Sequence, residues 1–134
     1  MLSQNLAMPA PVPVIPAISS KEIRCLTDNI YHEARGETLA GQIAVARVTI
    51  NRTKHKSFPK NICEVVYQPY QFSWTIKKPK KPADIKAWNN AKYAAYSALA
   101  NKKHFPAIYY HNLSVNPKWG RPLLTKIGNH VFYS

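Results

Sequence analysis

The sequence predicts an α+β domain that is mostly helical and carries a small antiparallel sheet or hairpin. Three stretches, around residues 20–34, 39–53 and 84–101, place apolar residues at helical spacing, which is typical of helices with one buried face. Near the end of the chain, two apolar runs flank Gly128-Asn129, a two-residue turn signal typical of a β-hairpin. These observations predict a helical body with a sheet built from the last part of the chain.

The first helix is predicted to begin near Ser20 and to end before Gly36. Ser19 and Glu22 have the spacing of a capping box. Glycine readily adopts the left-handed conformation that commonly follows a helix. The apolar side of this helix comprises Ile23, Leu26, Ile30, Tyr31 and Ala34.

The second helix is predicted to be capped by Thr38 and to run to about Thr53. Gly41 lies inside it and predicts close packing against the first helix. For Arg52, near the end, we predict solvation or a loop-capping role. The residues predicted to face the core are Leu39, Ile43, Ala46 and Ile50, with Val45 and Val48 beside them.

The elements that follow are shorter, apart from one more long helix. A short helix is predicted over 61–67, and the aromatic and β-branched run 70–76 predicts a short strand or an extended loop. A helix from Asp84 to about Asn101 follows a basic loop, and strands are predicted at 105–111, 123–127 and 130–133. The buried side of the long helix is predicted to comprise Ile85, Trp88, Ala91, Ala95 and Leu99.

Composition predicts one domain and favours a polyanionic partner, although the charge is also compatible with a basic protein that is merely soluble. Residues 1–19 are predicted to be a Pro-rich flexible tail and residues 20–134 a single domain. The tail lacks the basic start of a signal peptide, although a trimmed precursor is an alternative. No apolar run is long enough to cross a membrane. The net charge of +13 favours nucleic acid, anionic lipid or an acidic wall polymer.

Cys25 and Cys63 permit one internal disulfide. Their spacing fits no zinc site, because structural zinc requires four Cys or His ligands in close pairs. Two buried thiols are the alternative. A disulfide would indicate an oxidising environment.

Glu33 is the residue that the pattern marks as a catalytic acid. Only six acidic residues accompany 19 Lys and Arg. The position of Glu33 puts it at the margin of the apolar stripe, near the negative end of the first helix. Burial and that helix end both disfavour an ionised carboxylate, and a proton donor to a glycosidic oxygen needs a raised pKa. The alternative is an exposed surface Glu paired with Arg35 or a Lys.

Ordered motifs along the chain resemble the catalytic domain of the SleB-type cell-wall hydrolases, the family of the spore-cortex lytic enzymes. The likeness covers roughly residues 22–133, nearly the whole chain beyond the tail. The motifs are Tyr31-His32-Glu33-Ala34-Arg35-Gly36-Glu37, Gly41-Gln42-Ile43-Ala44-Val45-Ala46, Asn51-Arg52, Phe58-Pro59, Ile62, Val65-Val66-Tyr67, Gln71-Phe72-Ser73, Tyr110-His111-Asn112 and Ile127-Gly128-Asn129-His130-Val131-Phe132-Tyr133.

The resemblance implies a lysozyme-like fold and cleavage of the bond between N-acetylmuramic acid and N-acetylglucosamine by lytic transglycosylation. The family's catalytic glutamate corresponds to Glu33, and Glu37 is a secondary catalytic candidate. Gln42, within the second motif, is a further binding candidate. Aromatic rings stack on sugars and amides bond to their hydroxyl groups, so the remaining cleft positions are expected at Gln71, Phe72, Ser73, Tyr110, His111 and Asn112.

The shortage of carboxylates fits a reaction that needs only one. A glycosidase generally uses two, whereas in a transglycosylase Glu33 protonates the leaving oxygen and then deprotonates the C6 hydroxyl of the muramic acid. We expect no cofactor and no metal, and a monomer whose partner is the glycan strand, with possible contact to the anionic envelope surface. The expected setting is the periplasm or cell wall, for a phage endolysin, a virion-associated enzyme or an exported bacterial enzyme.

Three alternatives stay open at this point. The first is a muramidase that cleaves the same bond by hydrolysis, and the second is a non-enzymatic binder of nucleic acid or membrane. The binder is favoured by the charge, but no nucleic-acid motif is present. The third is a metal nuclease that uses His111 or His130.

Overall fold

A computed structural model of the chain describes residues 18–69, 71–76, 82–101 and 103–134. Almost all of the predicted tail, Tyr70 and most of the predicted basic loop lie outside the described residues. The helices are α1 (Ser20–Ala34), α2 (Leu39–Thr53), α3 (Ile62–Val66) and α4 (Ile85–Ala100), with one 3₁₀ turn, Ser73–Thr75; the strands are β1 (Tyr109–Asn112), β2 (Leu123–Ile127) and β3 (His130–Tyr133). The predicted fold class, mostly helical with a small antiparallel sheet, is confirmed.

Helix α1 begins and ends at the predicted residues, but only half of the predicted capping box forms. The Ser19 hydroxyl accepts a hydrogen bond from the Glu22 backbone N–H at 3.2 Å. The Glu22 carboxylate points elsewhere and accepts from the backbone N–H groups of Ile62 and Cys63, at 2.8 and 2.9 Å. It therefore caps the start of α3, where a negative charge is favourable, and ties α3 to α1.

Helix α2 also has its predicted bounds, although its buried face differs from the predicted stripe. Leu39 is 46% exposed and Ile43 is only partly buried, whereas Val45 and Val48 are fully buried. Gly41 packs closely, but against the α1–α2 loop and β2 instead of α1. A Cβ there would lie 3.3 Å from the Glu37 Cβ and 3.7 Å from Ile127 Cγ2.

Helix α4 packs against both α1 and α2 through small side chains. The prediction of burial was wrong for Ile85, which is 59% exposed, and Trp88 and Leu99 are only partly buried. A face of alanines lets the backbones of neighbouring helices approach closely. The fully covered positions of α4 are Ala91, Ala94, Ala95 and Ala98.

Two predicted extended segments differ in the structure. Within 71–76 the described backbone contains a 3₁₀ turn and not a strand, and Phe72 before it is buried. Strand β1 begins at Tyr109 and not at Phe105. The Asn51 amide donates to the carbonyls of Phe105 and Ala107, at 2.6 and 2.8 Å, so α2 takes up hydrogen bonds that a longer strand would need.

The sheet has the strand order β1-β3-β2, with both pairs antiparallel. Gly128, with φ +56°, and Asn129 form the predicted hairpin turn between β2 and β3. The central strand β3 buries Phe132 completely and pairs it with Tyr110 of β1. This register fixes where the Tyr110 side chain lies relative to the helices.

A disulfide joins Cys25 of α1 to Cys63 of α3, beside the Glu22 cap described above. Covalent and polar links therefore hold the short helix α3 against α1. Among the described helices, none combines the length and apolar character that crossing a membrane requires.

Candidate active site

Glu33 lies on the last turn of α1 and faces β1. Its side chain is partly buried, and its Oε1 accepts a hydrogen bond from the Tyr110 hydroxyl at 2.9 Å. Helix α1 presents Glu33 beside the buried residues Ile30 and Ala34, as the apolar pattern predicts. Tyr110 thus binds one carboxyl oxygen, and no hydrogen bond from another described residue to the Glu33 carboxyl group is found.

Burial raises the pKa of the Glu33 carboxyl, and the hydrogen bond from Tyr110 opposes part of that rise. The direction is the one expected for a carboxyl removed from water. Burial and the nearby negative charge of Glu33 raise the pKa of the Tyr110 hydroxyl well above its ordinary value. Tyr110 therefore stays protonated and serves as a hydrogen-bond donor, while Glu33 is suited to hold a proton.

A cavity of about 350 Å³ opens in front of Glu33. It contains one carboxyl group, one guanidinium, one amide and four aromatic rings. Its lining residues are Glu33, Arg52, Gln71, Phe72, Tyr109, Tyr110 and Trp119. A concave site with aromatic walls and few polar groups is typical of a ligand pocket, and exposed ring faces suit the apolar faces of sugars.

The cavity brings together four of the nine residues that the sequence marked as catalytic or substrate-binding: Glu33, Gln71, Phe72 and Tyr110. Phe72 and Tyr110 stack with their ring centroids 6.4 Å apart. The remaining five, Glu37, Gln42, Ser73, His111 and Asn112, are not among its lining residues.

Glu37 and Gln42 line a separate depression of about 270 Å³, together with Leu39, Asn90 and Tyr93. The other residues outside the cavity lie near the sheet and the 3₁₀ turn. His111 Nε2 is 2.8 Å from the Tyr133 hydroxyl, and the Asn112 side chain accepts from the Ser114 backbone N–H. Ser73 is exposed at the start of the 3₁₀ turn.

The carboxylate of Glu37 binds the hairpin turn between β2 and β3. It accepts from the backbone N–H of Asn129 at 2.8 Å and from the Asn129 side-chain amide at 2.9 Å. These bonds, the backbone one foremost, lower the pKa of Glu37. His130 Nδ1 lies 3.8 Å from the same carboxylate, and burial lowers the pKa of that imidazole. The pKa of Glu37 is thus shifted down and both of its carboxylate oxygens are bound to Asn129, whereas the pKa of Glu33 is shifted up.

Three cavity residues escaped the sequence analysis: Arg52, Tyr109 and Trp119. Arg52 was predicted to be solvated or to cap a loop. Solvation is wrong because the residue is 5% exposed, whereas its Nε does bind a loop carbonyl, that of Ile108 before β1. Its burial could have been predicted from its position, because it lies one turn after Val48 on the buried face of α2. Tyr109 and Trp119 come from β1 and the following loop, and their ring centroids lie 5.7 Å apart. No local pattern shows that this loop folds back onto the cavity.

The described residues contain one group of potential metal ligands, Glu22 with Cys25 and Cys63, whose ligand atoms lie within 4.8 Å of one another. Both sulfur atoms are joined in the disulfide, and the carboxylate is bound to the α3 backbone. Cysteine binds a metal ion as a free thiolate, and glutamate binds it through a deprotonated carboxylate. This donor set therefore does not fit a metal ion.

Comparison with known proteins identifies relatives of this chain. The profile of the family described as Cell Wall Hydrolase matches residues 36–133, which include every cavity residue except Glu33. The spore cortex-lytic enzyme of Bacillus subtilis (strain 168) is 32% identical over 125 residues, covering 85% of this chain and 38% of that protein. The spore cortex-lytic enzyme of Bacillus cereus is 31% identical over 125 residues, covering 85% of this chain and 44% of that protein. The chain thus spans about two fifths of the length of these relatives.

Two solved structures share the fold over most of the chain. The catalytic domain of the germination-specific lytic transglycosylase SleB from Bacillus anthracis superimposes with a TM-score of 0.74 at 30% identity, covering 90% of this chain and all of that one. The catalytic domain of the Bacillus cereus SleB protein superimposes with a TM-score of 0.73 at 30% identity, covering 90% of this chain and 95% of that one. Unlike the family profile, these alignments extend over nearly all described residues.

Proposed function

Because this chain belongs to the Cell Wall Hydrolase family, we propose that it cleaves peptidoglycan between N-acetylmuramic acid and N-acetylglucosamine as a lytic transglycosylase. The observation that carries this proposal is the cavity with Glu33 as its single carboxyl group. All six acidic residues of the chain lie in the described part. A two-carboxylate glycosidase places a second acid across the scissile bond, and no second acid lines this cavity.

In the proposed reaction, Glu33 acts first as acid and then as base. Its proton passes to the glycosidic oxygen while the bond from that oxygen to C1 of the muramic acid breaks. The C6 hydroxyl oxygen of the same sugar bonds to C1, and its proton passes to the Glu33 carboxylate. The products are a 1,6-anhydromuramic end and a free hydroxyl on the leaving sugar. Glu33 is regenerated without consuming water, and such positioned proton transfer contributes about 10²–10⁴-fold in rate.

The other cavity residues are assigned by their contacts. Tyr110 orients Glu33, because its hydroxyl holds one carboxyl oxygen. Tyr109 and Trp119 supply ring faces for sugars, and Gln71 supplies an amide for hydroxyl or acetamido groups. Phe72 is buried and stacks on Tyr110, so it supports the cavity wall. For Gln42, Ser73, His111 and Asn112, contact with more distant units of the glycan stays a prediction.

For Glu37 we propose a structural role in place of a catalytic one. Its two hydrogen bonds to Asn129 hold the β2–β3 turn. It also lies in a different depression from Glu33.

The test is digestion of purified peptidoglycan in water labelled with heavy oxygen, followed by mass spectrometry. We expect anhydromuropeptides without label, and a rate about 10²–10⁴-fold lower for Glu33→Gln. Glu37→Gln is the matched control, since it removes the neighbouring carboxylate and should retain anhydro products. Labelled reducing ends would show hydrolysis, and full activity in Glu33→Gln would refute the assignment of the acid.

We further propose that the enzyme acts outside the cytoplasm, in the periplasm or cell wall. The disulfide between Cys25 and Cys63 supports this, because disulfides persist mainly in oxidising compartments. A phage lysin and an exported bacterial enzyme both fit this setting. When the protein is produced in the bacterial cytoplasm, we expect lysis only after the inner membrane is permeabilised; lysis without permeabilisation would contradict action outside the cytoplasm.

A further inference from the structure

Arg52 brings a buried positive charge to the wall of the cavity. It lies on the last turn of α2, 5% exposed, and its guanidinium carbon is 4.8 Å from the centroid of Phe58 and 5.3 Å from that of Tyr109. Its Nε donates to the Ile108 carbonyl at 2.8 Å, and its Nη1 donates to the Gln71 side-chain oxygen at 3.0 Å. Two neutral acceptors thus fix the plane of the guanidinium.

No carboxylate of the protein neutralises this charge. The ion pairs among the described residues are Arg24–Asp28 and His130–Glu37. The remaining acids are engaged elsewhere or exposed: Glu22 caps α3, Glu33 accepts from Tyr110, Glu64 is exposed and Asp84 caps α4. Since the undescribed residues contain no Asp or Glu, none of them can supply the missing side-chain carboxylate.

A buried cation without an anion is costly to a folded protein, because desolvation of the charge is not repaid by neutral acceptors alone. The Nη2 group of Arg52 has no hydrogen-bond acceptor among the described residues, while the residue lines the cavity. A guanidinium presents its N–H groups in a planar fork that matches a carboxylate. The arrangement is therefore suited to an anionic ligand with that geometry.

We infer that Arg52 binds a carboxylate of the muramyl substrate and makes the cavity selective for acidic glycan strands. The inference rests on the proposed function and specifies which feature of the substrate the site recognises. Muramic acid carries a lactyl carboxyl, which is free on strands without peptide and amide-linked where a stem peptide is attached. The stem peptide brings carboxylates of its own, so both sources present the same chemistry.

The test compares three soluble glycan substrates: strands without peptide, the same strands with their lactyl carboxyls converted to methylamides, and strands with stem peptides. We expect kcat/KM of the wild type to be about tenfold higher on the free-carboxylate strands than on the methylamides, which corresponds to about 1.4 kcal/mol. Arg52→Gln should remove this preference. Lys126→Gln is the control, because it removes one positive charge from an exposed position of β2. This variant should retain the preference for free-carboxylate strands.

The stem-peptide strands distinguish the two sources. The bound carboxylate belongs to the peptide if two results are obtained. The stem-peptide strands must have a kcat/KM equal to that of the free-carboxylate strands, and methylamidation of the peptide carboxylates must lower it to the value of the lactyl methylamides. If they are cleaved only as well as the lactyl methylamides, it is the lactyl group. Equal kcat/KM of the wild type on every substrate would overturn the inference.

A binding measurement covers the case in which Arg52→Gln fails to fold. Trp119 lines the cavity, so tryptophan fluorescence of the Glu33→Gln protein reports binding of a peptide-free muramyl tetrasaccharide. For the lactyl source, we expect about tenfold tighter binding of the carboxylate form than of its methylamide. For the peptide source, we expect the same ratio between a tetrasaccharide with stem peptides and its methylamidated form, and equal affinity within both pairs would contradict the inference. Absence of anhydro products would refute the proposed reaction and leave this binding preference unaffected.

Discussion

At the scale of single residues, the environment of Glu33 differs sharply from that of Glu37, although only four positions separate them. Glu33 is partly buried, and burial raises its pKa although the hydrogen bond from the Tyr110 hydroxyl opposes part of the rise. Glu37 accepts two hydrogen bonds from Asn129, so its pKa falls. The same side chain is thereby prepared for proton transfer in one place and for holding a turn in the other.

The pKa of Glu33 predicts how activity depends on pH. The protonated carboxyl starts the proposed reaction, so kcat/KM should fall as the pH rises through the raised pKa of Glu33. The Tyr110 hydroxyl stabilises the ionised form and lowers that pKa. Tyr110→Phe should therefore move the alkaline limb of the pH–rate profile to higher pH, and should lower the maximal rate because Glu33 loses its orienting bond.

Tyr109→Phe is the matched control for this profile, since Tyr109 lines the same cavity and its hydroxyl accepts from Arg121 Nη2. The alkaline limb of the pH–rate profile of Tyr109→Phe should coincide with that of the wild type. An unmoved limb in Tyr110→Phe would mean that another group controls the ionisation.

Sequence alone predicted the partly buried position of Glu33 but not the full cavity that it lines. Glu33 stood out because it follows an apolar helical stripe and because carboxylates are scarce, and both signals are local. Arg52, Tyr109 and Trp119 depend on how α2, β1 and the loop after β1 meet in space. Arg52 was predicted to be solvated because arginine is seldom fully buried. In the structure, aromatic rings and neutral hydrogen-bond acceptors surround its guanidinium.

At the scale of elements, local signals predicted the helix limits well. Ser19, Thr38, Asn61 and Asp84 each cap a helix through a side-chain oxygen. Which face of a helix is buried was harder to predict, as Leu39 and Ile85 show, because that depends on which helices become neighbours. Strand β1 was shortened by a distant side chain, Asn51, which no local pattern contains.

The link between α1 and α3 predicts a measurable contribution to stability. The disulfide joins residues 38 apart in sequence, and in the chain-entropy model such a loop contributes about 4 kcal/mol to the free energy of unfolding. Urea unfolding of Cys25→Ser/Cys63→Ser should show a lower midpoint and a loss of that order. Because Glu22 still binds α3, the variant should keep its helical circular dichroism.

Reduction of the wild type with a thiol reagent should reproduce the effect, and the same reagent should leave the double-serine variant unchanged. An identical midpoint for oxidised and reduced wild type would contradict the prediction.

At the scale of the whole molecule, the net charge of +13 predicts that wall binding depends on salt. The proposed substrate is acidic, and attraction between exposed charges reaches about 30 Å at about 0.01 M salt but only about 3 Å at about 1 M. Adsorption of the inactive Glu33→Gln protein to purified sacculi should therefore decrease several-fold over that range.

Sucrose at matched osmolarity is the control, because it changes water activity without screening charge. Adsorption that is indifferent to salt would show that contacts within the cavity, and not the overall charge, hold the protein on the wall.

The strand order β1-β3-β2 has a consequence for how the enzyme is made. Residues 130–133 form the middle strand, which holds β1 in register and thereby positions Tyr110 against Glu33. A ribosome delivers α1 and its acid first, yet the pair cannot assemble until β3 has been synthesised. A nascent or prematurely terminated chain that stops before His130 would carry Glu33 without its orienting partner. The order of synthesis thus delays assembly of the proposed catalytic pair until nearly all of the described domain has been synthesised.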